Sequence, residues 1–239
     1  MISGPRVLIK HSSYCEFLER YLDSHDLLID SVDITQLPLQ QSDLMNREYI
    51  ITPLLQKNQN HYQQLMKIKN LELVLDLNHY HFGDLEFALK AAMPKKLYGP
   101  LIFEHPNFVK IESLYANHLK TIIGNFEVTN KDDFLFVSQP LLEDGREIDQ
   151  HDLIRYAHEM VKTRGAKLFI KRHQRESKQL TCNIYQNENV LPYEDSIEEG
   201  IKTFNNLIGF NSLPLLASKV IGRNVYLWDI KKNSFNALD

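Results

Sequence analysis

The residues best suited to chemistry are concentrated in the segment Lys167-Leu-Phe-Ile-Lys-Arg-His-Gln-Arg-Glu176. Its apolar run is typical of a buried parallel strand whose carboxyl end opens into a loop. Ligands of open α/β sheets bind at that edge. There, the cations Lys171, Arg172 and Arg175 could hold a phosphate-bearing leaving group while the imidazole of His173 supplies a proton. The alternative is a basic surface loop with an ordinary exposed histidine.

Two more loops follow predicted strands in the second half of the chain. In Ser138-Gln-Pro-Leu-Leu-Glu-Asp-Gly145, Asp144 could act as a base, although Glu-Asp-Gly is also an ordinary turn. Gly209-Phe-Asn-Ser212 runs into an apolar helix, whose free N–H groups and dipole would attract an anion. Alternatively, Asn211 or Ser212 is simply an N-cap. Because all three loops follow strands, we expect them at one sheet edge.

Other candidate residues have less support from their surroundings. Glu104-His-Pro-Asn107 contains a His-Pro pair but no neighbouring cations. His79 and His81 follow another predicted strand; a metal site would need a third ligand, and otherwise they face an acceptor or lie on the surface. Cys15 and Cys182 form no metal or redox motif, so we expect reduced thiols. The chain has neither a GxGxxG dinucleotide fingerprint nor a P-loop.

Composition and charge exclude several classes of protein. The 239 residues are 43% hydrophobic and 24% charged, as in ordinary globular proteins. A net charge of -4 argues against a general nucleic-acid binder, which would usually be basic. No apolar run approaches the roughly 18 residues of a membrane span, and Met1–Arg6 leads into a predicted strand without a signal peptide. We therefore expect a cytoplasmic protein that makes at most peripheral contact with the inner face of the membrane.

The elements that must position the three loops alternate between strands and helices. Strand-like runs lie at Arg6–Lys10, Leu27–Ile34, Tyr49–Thr52, Leu71–Leu77, Phe134–Ser138, near Lys167, at Leu207–Gly209 and at Val225–Trp228. Helix-like runs begin after Ser12 or Ser13 and lie near His61–Lys69, Asp84–Met93, His151–Thr163, Ile197–Phe204 and Leu213–Val220, with Gly165 at a predicted C′ position. Such alternation predicts α/β folding around parallel sheets.

A polar stretch from Asn125 to Asp133 interrupts this alternation and suggests a domain boundary. We therefore predict two Rossmann-like halves. Residues 1–130 would form the N-terminal domain, and residues 131–239 the C-terminal domain.

The three loops resemble motifs of bacterial sialyltransferases, most closely glycosyltransferase family 52 and the related polysialyltransferases. Ser138–Gly145 is similar to an acidic D/E-D/E-G motif, Ile170–Glu176 to a Lys-x-His-Pro or Lys-His-Pro motif, and Gly209–Ser212 to a serine-rich phosphate loop. The likeness covers roughly residues 134–230. It implies a GT-B fold, in which two Rossmann-like domains face each other across a cleft. The N-terminal domain, residues 1–130, would lie on the acceptor side, and the C-terminal domain, residues 131–239, would bind most of the nucleotide-sugar donor, CMP-sialic acid.

The resemblance also implies roles for individual residues. Asp144 would be the general base that deprotonates the acceptor hydroxyl, and His173 would protonate or stabilise the departing CMP phosphate. The residues that would bind the donor phosphate are Lys171, Arg175, Asn211 and Ser212, and those that would support the site are Glu143, Gly145 and Glu176.

The implied reaction is a direct displacement that inverts the anomeric centre through an oxocarbenium-like state. CMP is already a fair leaving group at neutral pH because the second pKa of a phosphate monoester lies near 6. We therefore expect no metal and no cofactor. The partners would be the donor and a glycan acceptor such as lipooligosaccharide or capsule, without nucleic acid, and a homodimer is compatible with these features.

Two positions differ from the family pattern and keep alternatives open. Gln174 stands where the family has proline, and Leu213 replaces a second hydroxyl of the phosphate loop. One alternative is a GT-B transferase that uses another nucleotide sugar, or a nonulosonate such as Kdo or legionaminic acid. The other is a non-catalytic protein that binds a nucleotide or a glycan.

Overall fold

The computed structural model describes residues 1–11, 15–36, 50–54, 65, 68, 70–77, 85, 89, 94–101, 104–124, 127–141, 147–174, 176 and 190–238. The chain divides into two compact units, Met1–His118 and Leu119–Asp239. Each unit is built around its own mostly parallel sheet. The chain is therefore an α/β protein, as the sequence predicts.

The described strands of the first unit form a six-stranded parallel sheet in the order β2-β1-β3-β4-β5-β6. Its strands are β1 (Arg6–Lys10), β2 (Leu28–Asp33), β3 (Ile50–Pro53), β4 (Leu71–Val74), β5 (Lys96–Gly99) and β6 (Phe108–Lys110). A short 3-10 helix, Ile34–Gln36, follows β2. The chain reverses direction across the sheet between β1 and β3, which defines a topological switch point.

Both faces of this sheet are covered by apolar side chains. On one face Leu8 and Ile51 pack with Leu18 and Leu22 of helix α1 (Cys15–Ser24). On the opposite face Val7, Ile9 and Ile50 pack with Leu65, Leu85 and Leu89. Two-sided burial explains why β1 and β3 read as continuous apolar runs in the sequence.

Helix α2 (Leu114–Ile123) begins in the first unit and has well-satisfied N-terminal groups. The hydroxyl of Ser113 accepts a hydrogen bond from the backbone N–H of Ala116 at 3.1 Å. A buried carboxylate, Asp76, which follows β4, accepts one from the N–H of Tyr115 at 3.1 Å. Its negative charge also offsets the positive end of the helix dipole.

A buried ion pair links strands β1 and β4 across β3. Arg6 donates from Nε to Glu72 Oε2 at 2.8 Å and from Nη2 to Oε1 at 3.3 Å. The hydroxyl of Tyr98 donates to Glu72 Oε2 at 3.0 Å. Burial and the neighbouring Glu72 raise the pKa of Tyr98 to about 12 despite the hydrogen bond with Arg6. The three side chains satisfy one another and therefore have a structural role in the first unit.

The described strands of the second unit form a six-stranded sheet in the order β12-β11-β10-β7-β8-β9. Its strands are β7 (Asn130–Val137), β8 (Leu168–Lys171), β9 (Val190–Pro192), β10 (Phe204–Gly209), β11 (Asn224–Asp229) and β12 (Ser234–Ala237). All neighbours are parallel except β11 and β12. Numbered within the unit, the order is 3-2-1-4-5-6, the arrangement of doubly wound dinucleotide-binding domains.

Helices cover both faces of the second sheet. Phe134 and Phe136 pack in one cluster with Leu153 and Ala157 of α3 (Gln150–Lys162). Leu135 points to the other face, where it lies against Gly200 of α4 (Ile197–Thr203). Helix α5 (Leu213–Val220) connects β10 to β11. This layered arrangement is that of a doubly wound domain.

The structure adds elements that the sequence pattern does not predict: β5, β6, β9, β12 and α2. The added strands are only 3 or 4 residues long. Runs this short give too few residues to define a periodicity, so these strands form only through pairing with their neighbours in the sheet. The sequence predicts Gly165 at the C′ position of a helix. In the structure Gly165 (φ 68) is at C″, one position further from the helix, because Thr163 is the C-cap of α3.

Strand β7 starts inside the polar stretch that the sequence suggests as a domain boundary. Asn130–Asp133 belong to the strand, and the amide of Asn206 on β10 donates to the carbonyl of Lys131 at 2.8 Å. A contact between residues so distant in sequence has no local signature. Ser12 and Ser13 lie outside the described residues. Most residues of the two helices predicted near 61–69 and 84–93 also lie outside them.

Within the part of the chain that the structure describes, no helix is both long and apolar enough to cross a membrane.

Candidate functional site

The switch point of the second sheet lies between β7 and β10, where the chain leaves in opposite directions. Gly209, Val137 and Lys171 form one row across β10, β7 and β8. Neighbouring strands are about 4.7–4.9 Å apart, so the three loops begin side by side at the carboxyl edge of the sheet. This edge is where doubly wound sheets bind ligands.

The close approach of β10 to β7 depends on Gly209. A Cβ at this position would lie 2.6 Å from the carbonyl oxygen of Val137 and 3.1 Å from a methyl group of Leu215. Any larger residue would push the strands apart at the switch point. The amide of Gln139 also crosses this point and donates to the carbonyl of Asn211 at 3.1 Å.

Ser212 stands at the N-cap position of α5 but does not cap the helix with its side chain. Pro214 occupies the first turn and has no N–H to donate. The hydroxyl of Ser212 and the side-chain oxygen of Asn211 are buried, and neither has a hydrogen-bond partner among the described residues. Ser212 is only 8% exposed. An unpaired buried hydroxyl costs about 1–3 kcal/mol, which a bound ligand could recover.

The carboxylate of Glu176 connects the His173 loop to the end of β7. One oxygen accepts a hydrogen bond from the hydroxyl of Ser138, and the other accepts one from the backbone N–H of His173 at 3.0 Å. The N–H of Glu176 returns a bond to the carbonyl of His173 at 3.2 Å. Arg172 Nε lies 3.8 Å from the same carboxylate. Glu176 therefore holds the backbone of His173 in place at the candidate site.

The ammonium group of Lys171 points towards β9, away from β7. Its Nζ donates to the carbonyl of Glu194, just after β9, at 3.1 Å. This contact lies on the side of β8 opposite to β7 and the switch point. The described geometry thus places His173 at the carboxyl end of β8 and Asn211 and Ser212 at that of β10, on either side of β7, with Lys171 turned away from them.

Several predicted site residues lie outside the described residues: Glu143, Asp144, Gly145 and Arg175. Their roles stay predictions. The sequence pattern assigns no role to Gln139. Gln139 lies two residues after the end of β7, and this place beside the Gly209 loop is the signal that could identify it.

The His-Pro pair in the first half lies at an amino-terminal sheet edge, not at a carboxyl edge like the candidate site. Glu104–Asn107 directly precedes β6, and the Asn107 side chain donates to the carbonyl of Lys95, which precedes β5, at 3.1 Å. His105 therefore lies at the amino-terminal edge of the first sheet, away from the edge where ligands bind. Burial lowers the pKa of His105.

The described residues contain no group of three or more His, Cys, Asp or Glu side chains that could hold a metal ion. His79 and His81 lie outside this set. The absence of a metal from the reaction stays a prediction.

At the switch point of the first sheet, His11 joins the ends of β1 and β3. Its Nε2 is 3.0 Å from the carbonyl of Pro53, and its backbone N–H donates to the sulfur of Cys15 at 3.3 Å. Because a carbonyl only accepts, Nε2 is the donor. Burial alone would lower the pKa of His11, but the contacts with Cys15 and Pro53 outweigh burial and raise it above the usual range.

Comparison with known proteins gives no significant match to any family model, curated protein or solved structure. The likeness to the sialyltransferases therefore rests on the three motifs of the second unit. The fold and the site define the second unit as a doubly wound α/β domain with a candidate anion site at its switch point.

Proposed function

We propose that the protein is an inverting glycosyltransferase of the GT-B type. It moves sialic acid, or a related nonulosonate, from a CMP-activated donor to a bacterial surface glycan such as lipooligosaccharide or capsule. The observation that carries the proposal is the buried hydroxyl of Ser212 at the start of α5, which has no hydrogen-bond partner in the part of the chain that the structure describes and lies on the sheet edge it shares with His173.

The phosphate of the donor suits the chemistry of this edge. The N-terminus of α5 offers backbone N–H groups and the positive end of its dipole, and Ser212 adds a hydroxyl donor. Asn211 Oδ1 is an acceptor, so it suits a hydroxyl or amino group of the donor better than the phosphate itself. These groups bind the charge that grows as the glycosidic oxygen departs with the phosphate.

The two proton transfers of the proposed reaction involve different residues. Asp144 takes the proton of the acceptor hydroxyl, whose oxygen then forms the new bond to the anomeric carbon. The electron pair of the broken bond goes to the CMP phosphate, and the imidazole of His173 protonates or stabilises it. Glu176 supports this step by fixing the backbone of His173.

The direct test incubates the purified protein with CMP-sialic acid and galactose-terminated glycans and follows release of CMP. We expect transfer, with about a hundredfold or greater loss of turnover in His173→Ala and in Asp144→Ala. His105→Ala is the matched control, because His105 lies at the amino-terminal edge of the first sheet and should leave turnover unchanged. Absence of both transfer and donor hydrolysis would refute the proposal.

A second candidate, a non-catalytic nucleotide-binding protein, is favoured by Gln174 and Leu213 at positions where the family has proline and a hydroxyl. Thermal shifts with CMP, UMP, UDP and GDP would rank the nucleotides. A ligand at 100 times its dissociation constant adds about 2.7 kcal/mol to the free energy of unfolding. Binding of CMP without any transfer or hydrolysis supports this candidate, whereas preference for another nucleotide indicates a different transferase.

A further inference from the structure

A pocket of the second unit lies between the last turns of α2 and α5. It has a volume of about 610 Å³ and is lined by Lys120, Ile123, Gly124, Val220, Ile221, Gly222 and Arg223. Gly124 (φ 54) and Gly222 (φ 88) follow the two helix ends in left-handed conformations, and a Cβ at either would meet no atom within 4 Å. The two glycine turns therefore leave the pocket open.

This pocket is at the edge of the sheet opposite to the candidate transferase site. Arg223 immediately precedes β11, and α5 runs back from the carboxyl end of β10 to reach it. The pocket residues thus lie at the amino-terminal edge, whereas Ser212 and His173 lie at the carboxyl edge. A partner bound here would leave the switch point accessible.

The charge of the pocket is positive, and none of its lining residues is acidic. Lys120 and Lys219 stand in the last turns of their helices, where cations offset the helix dipole, so they alone indicate no ligand. Arg223 lies beyond the helix. Its Nε donates to the carbonyl of Ile201 at 2.9 Å, but its Nη2 is buried without a hydrogen-bond partner among the described residues. An anion in the pocket would supply that partner.

Aliphatic side chains are exposed beside this charge. Val220 lines the pocket and is 50% exposed, and Ile122, next to Ile123 in the last turn of α2, is 38% exposed. A small soluble anion would pair with Arg223 but leave both aliphatic side chains in water. A surface that offers phosphates above a hydrocarbon layer would give Arg223 Nη2 an anionic partner and cover the apolar groups together.

We propose that this pocket docks on an anionic phospholipid surface. Arg223 and Lys120 bind a headgroup phosphate, and Val220 inserts at the boundary between headgroups and acyl chains. The interaction is reversible and peripheral. It does not depend on the proposed transferase activity, because it involves a different edge of the sheet.

The test is flotation of the full chain with vesicles of phosphatidylcholine alone or with about one third phosphatidylglycerol. We expect binding only to the anionic vesicles, weakened by salt. Arg223→Gln and Lys120→Gln should each weaken it about fivefold. Val220→Ser, a change at a half-exposed position that the fold tolerates, should also weaken it. Lys231→Gln and Ile230→Ser are matched controls, because both residues follow the carboxyl end of β11 and Ile230 is 64% exposed.

Three results would overturn the docking proposal. The first is equal binding to neutral and anionic vesicles, and the second is binding that all three pocket variants retain. The third is stabilisation by inorganic phosphate in a thermal-shift assay without vesicle binding, which would make the pocket a soluble-anion site. Melting temperatures of the variants separate loss of docking from loss of folding. CMP release measured with soluble substrates reports on the transferase independently.

Discussion

Ser196 and Ser212 both stand at helix N-termini of the second unit, and their side chains behave differently. The hydroxyl of Ser196 accepts a hydrogen bond from the N–H of Glu199 at 3.1 Å, as an N-cap does. Ser212 makes no such bond. Pro214 removes one possible donor of the first turn, but the N–H of Leu215, which corresponds to that of Glu199, remains and the Ser212 side chain does not bond it. A hydroxyl withheld from capping is available for a ligand.

Replacing each serine by alanine therefore should have opposite consequences. Ser196→Ala should lower the free energy of unfolding by about 1 kcal/mol, because a cap is lost. Ser212→Ala should leave the ligand-free stability unchanged or raise it, because it removes a buried hydroxyl that has no partner among the described residues. Urea denaturation measures both. Loss of stability in Ser212→Ala equal to that in Ser196→Ala would show that Ser212 is an ordinary cap.

His11 should make stability depend on pH. Its pKa is raised in the folded protein relative to the ordinary value of 6.5, so its stabilising effect is complete below that value. The effect is lost as the pH rises through the folded pKa. Replacing His11 by Gln should therefore cost more stability at about pH 5.5 than at about pH 8.5.

Urea unfolding of wild type and His11→Gln at the two pH values measures this difference. His105→Gln is a control of opposite sign, because burial lowers the pKa of His105 and its charged form is disfavoured in the fold. If His11→Gln lowers the free energy of unfolding by the same amount at both pH values, the prediction is wrong.

At the scale of elements, the contact between β7 and β10 determines the shape of the candidate site. The two strands run in parallel from Asn206 paired with Phe134 to Gly209 paired with Val137. The register brings the Gln139 side chain within 3.1 Å of the Asn211 carbonyl. The loops on either side of the switch point are thus held together by the strands that precede them.

Gly209→Ala should disturb this junction more than an alanine at an open glycine. The new Cβ would lie 2.6 Å from the Val137 carbonyl, so the strands must separate. We expect a loss of about 1–3 kcal/mol, as for overpacking of a core. Gly124→Ala is the control: it meets no neighbouring atom and carries only the cost of a left-handed residue, about 1–2 kcal/mol.

Thermal or urea unfolding gives the two stabilities, and CMP affinity gives the effect on the site. Gly209→Ala should weaken CMP binding, whereas Gly124→Ala should not, because Gly124 lies at the other edge of the sheet. Unchanged CMP affinity in a folded Gly209→Ala variant would show that the junction does not shape the binding site.

At the scale of the whole molecule, each unit has its own sheet and its own apolar core. Residues 111–239 contain the second sheet and all of α2. We expect this fragment to fold cooperatively by itself, since a domain with its own core can fold alone. Circular dichroism melting and a dispersed amide NMR spectrum would confirm it. A non-cooperative melt would show that the second unit depends on the first.

The sequence by itself determined the local elements and the candidate loops. Apolar runs define β1, β8 and the core of β7, and helical periodicity defines α1 and α3, because two-sided burial and amphipathic packing leave a pattern in neighbouring residues. The sequence also indicated that loops with His173 and Ser212 follow strands. Such patterns are local, so they specify what each segment forms but not which segments become neighbours.

Only the tertiary structure decided the strand order, the switch points and the hydrogen-bond partners. The bond of Gln139 to Asn211 spans 72 positions, and the carboxylate of Glu176 joins Ser138 across 38. His105 and His173 both looked like loop histidines, yet one lies at the amino edge of its sheet and the other at the carboxyl edge. The physical reason is that long-range contacts depend on how complete layers pack, and no short stretch of sequence encodes that packing.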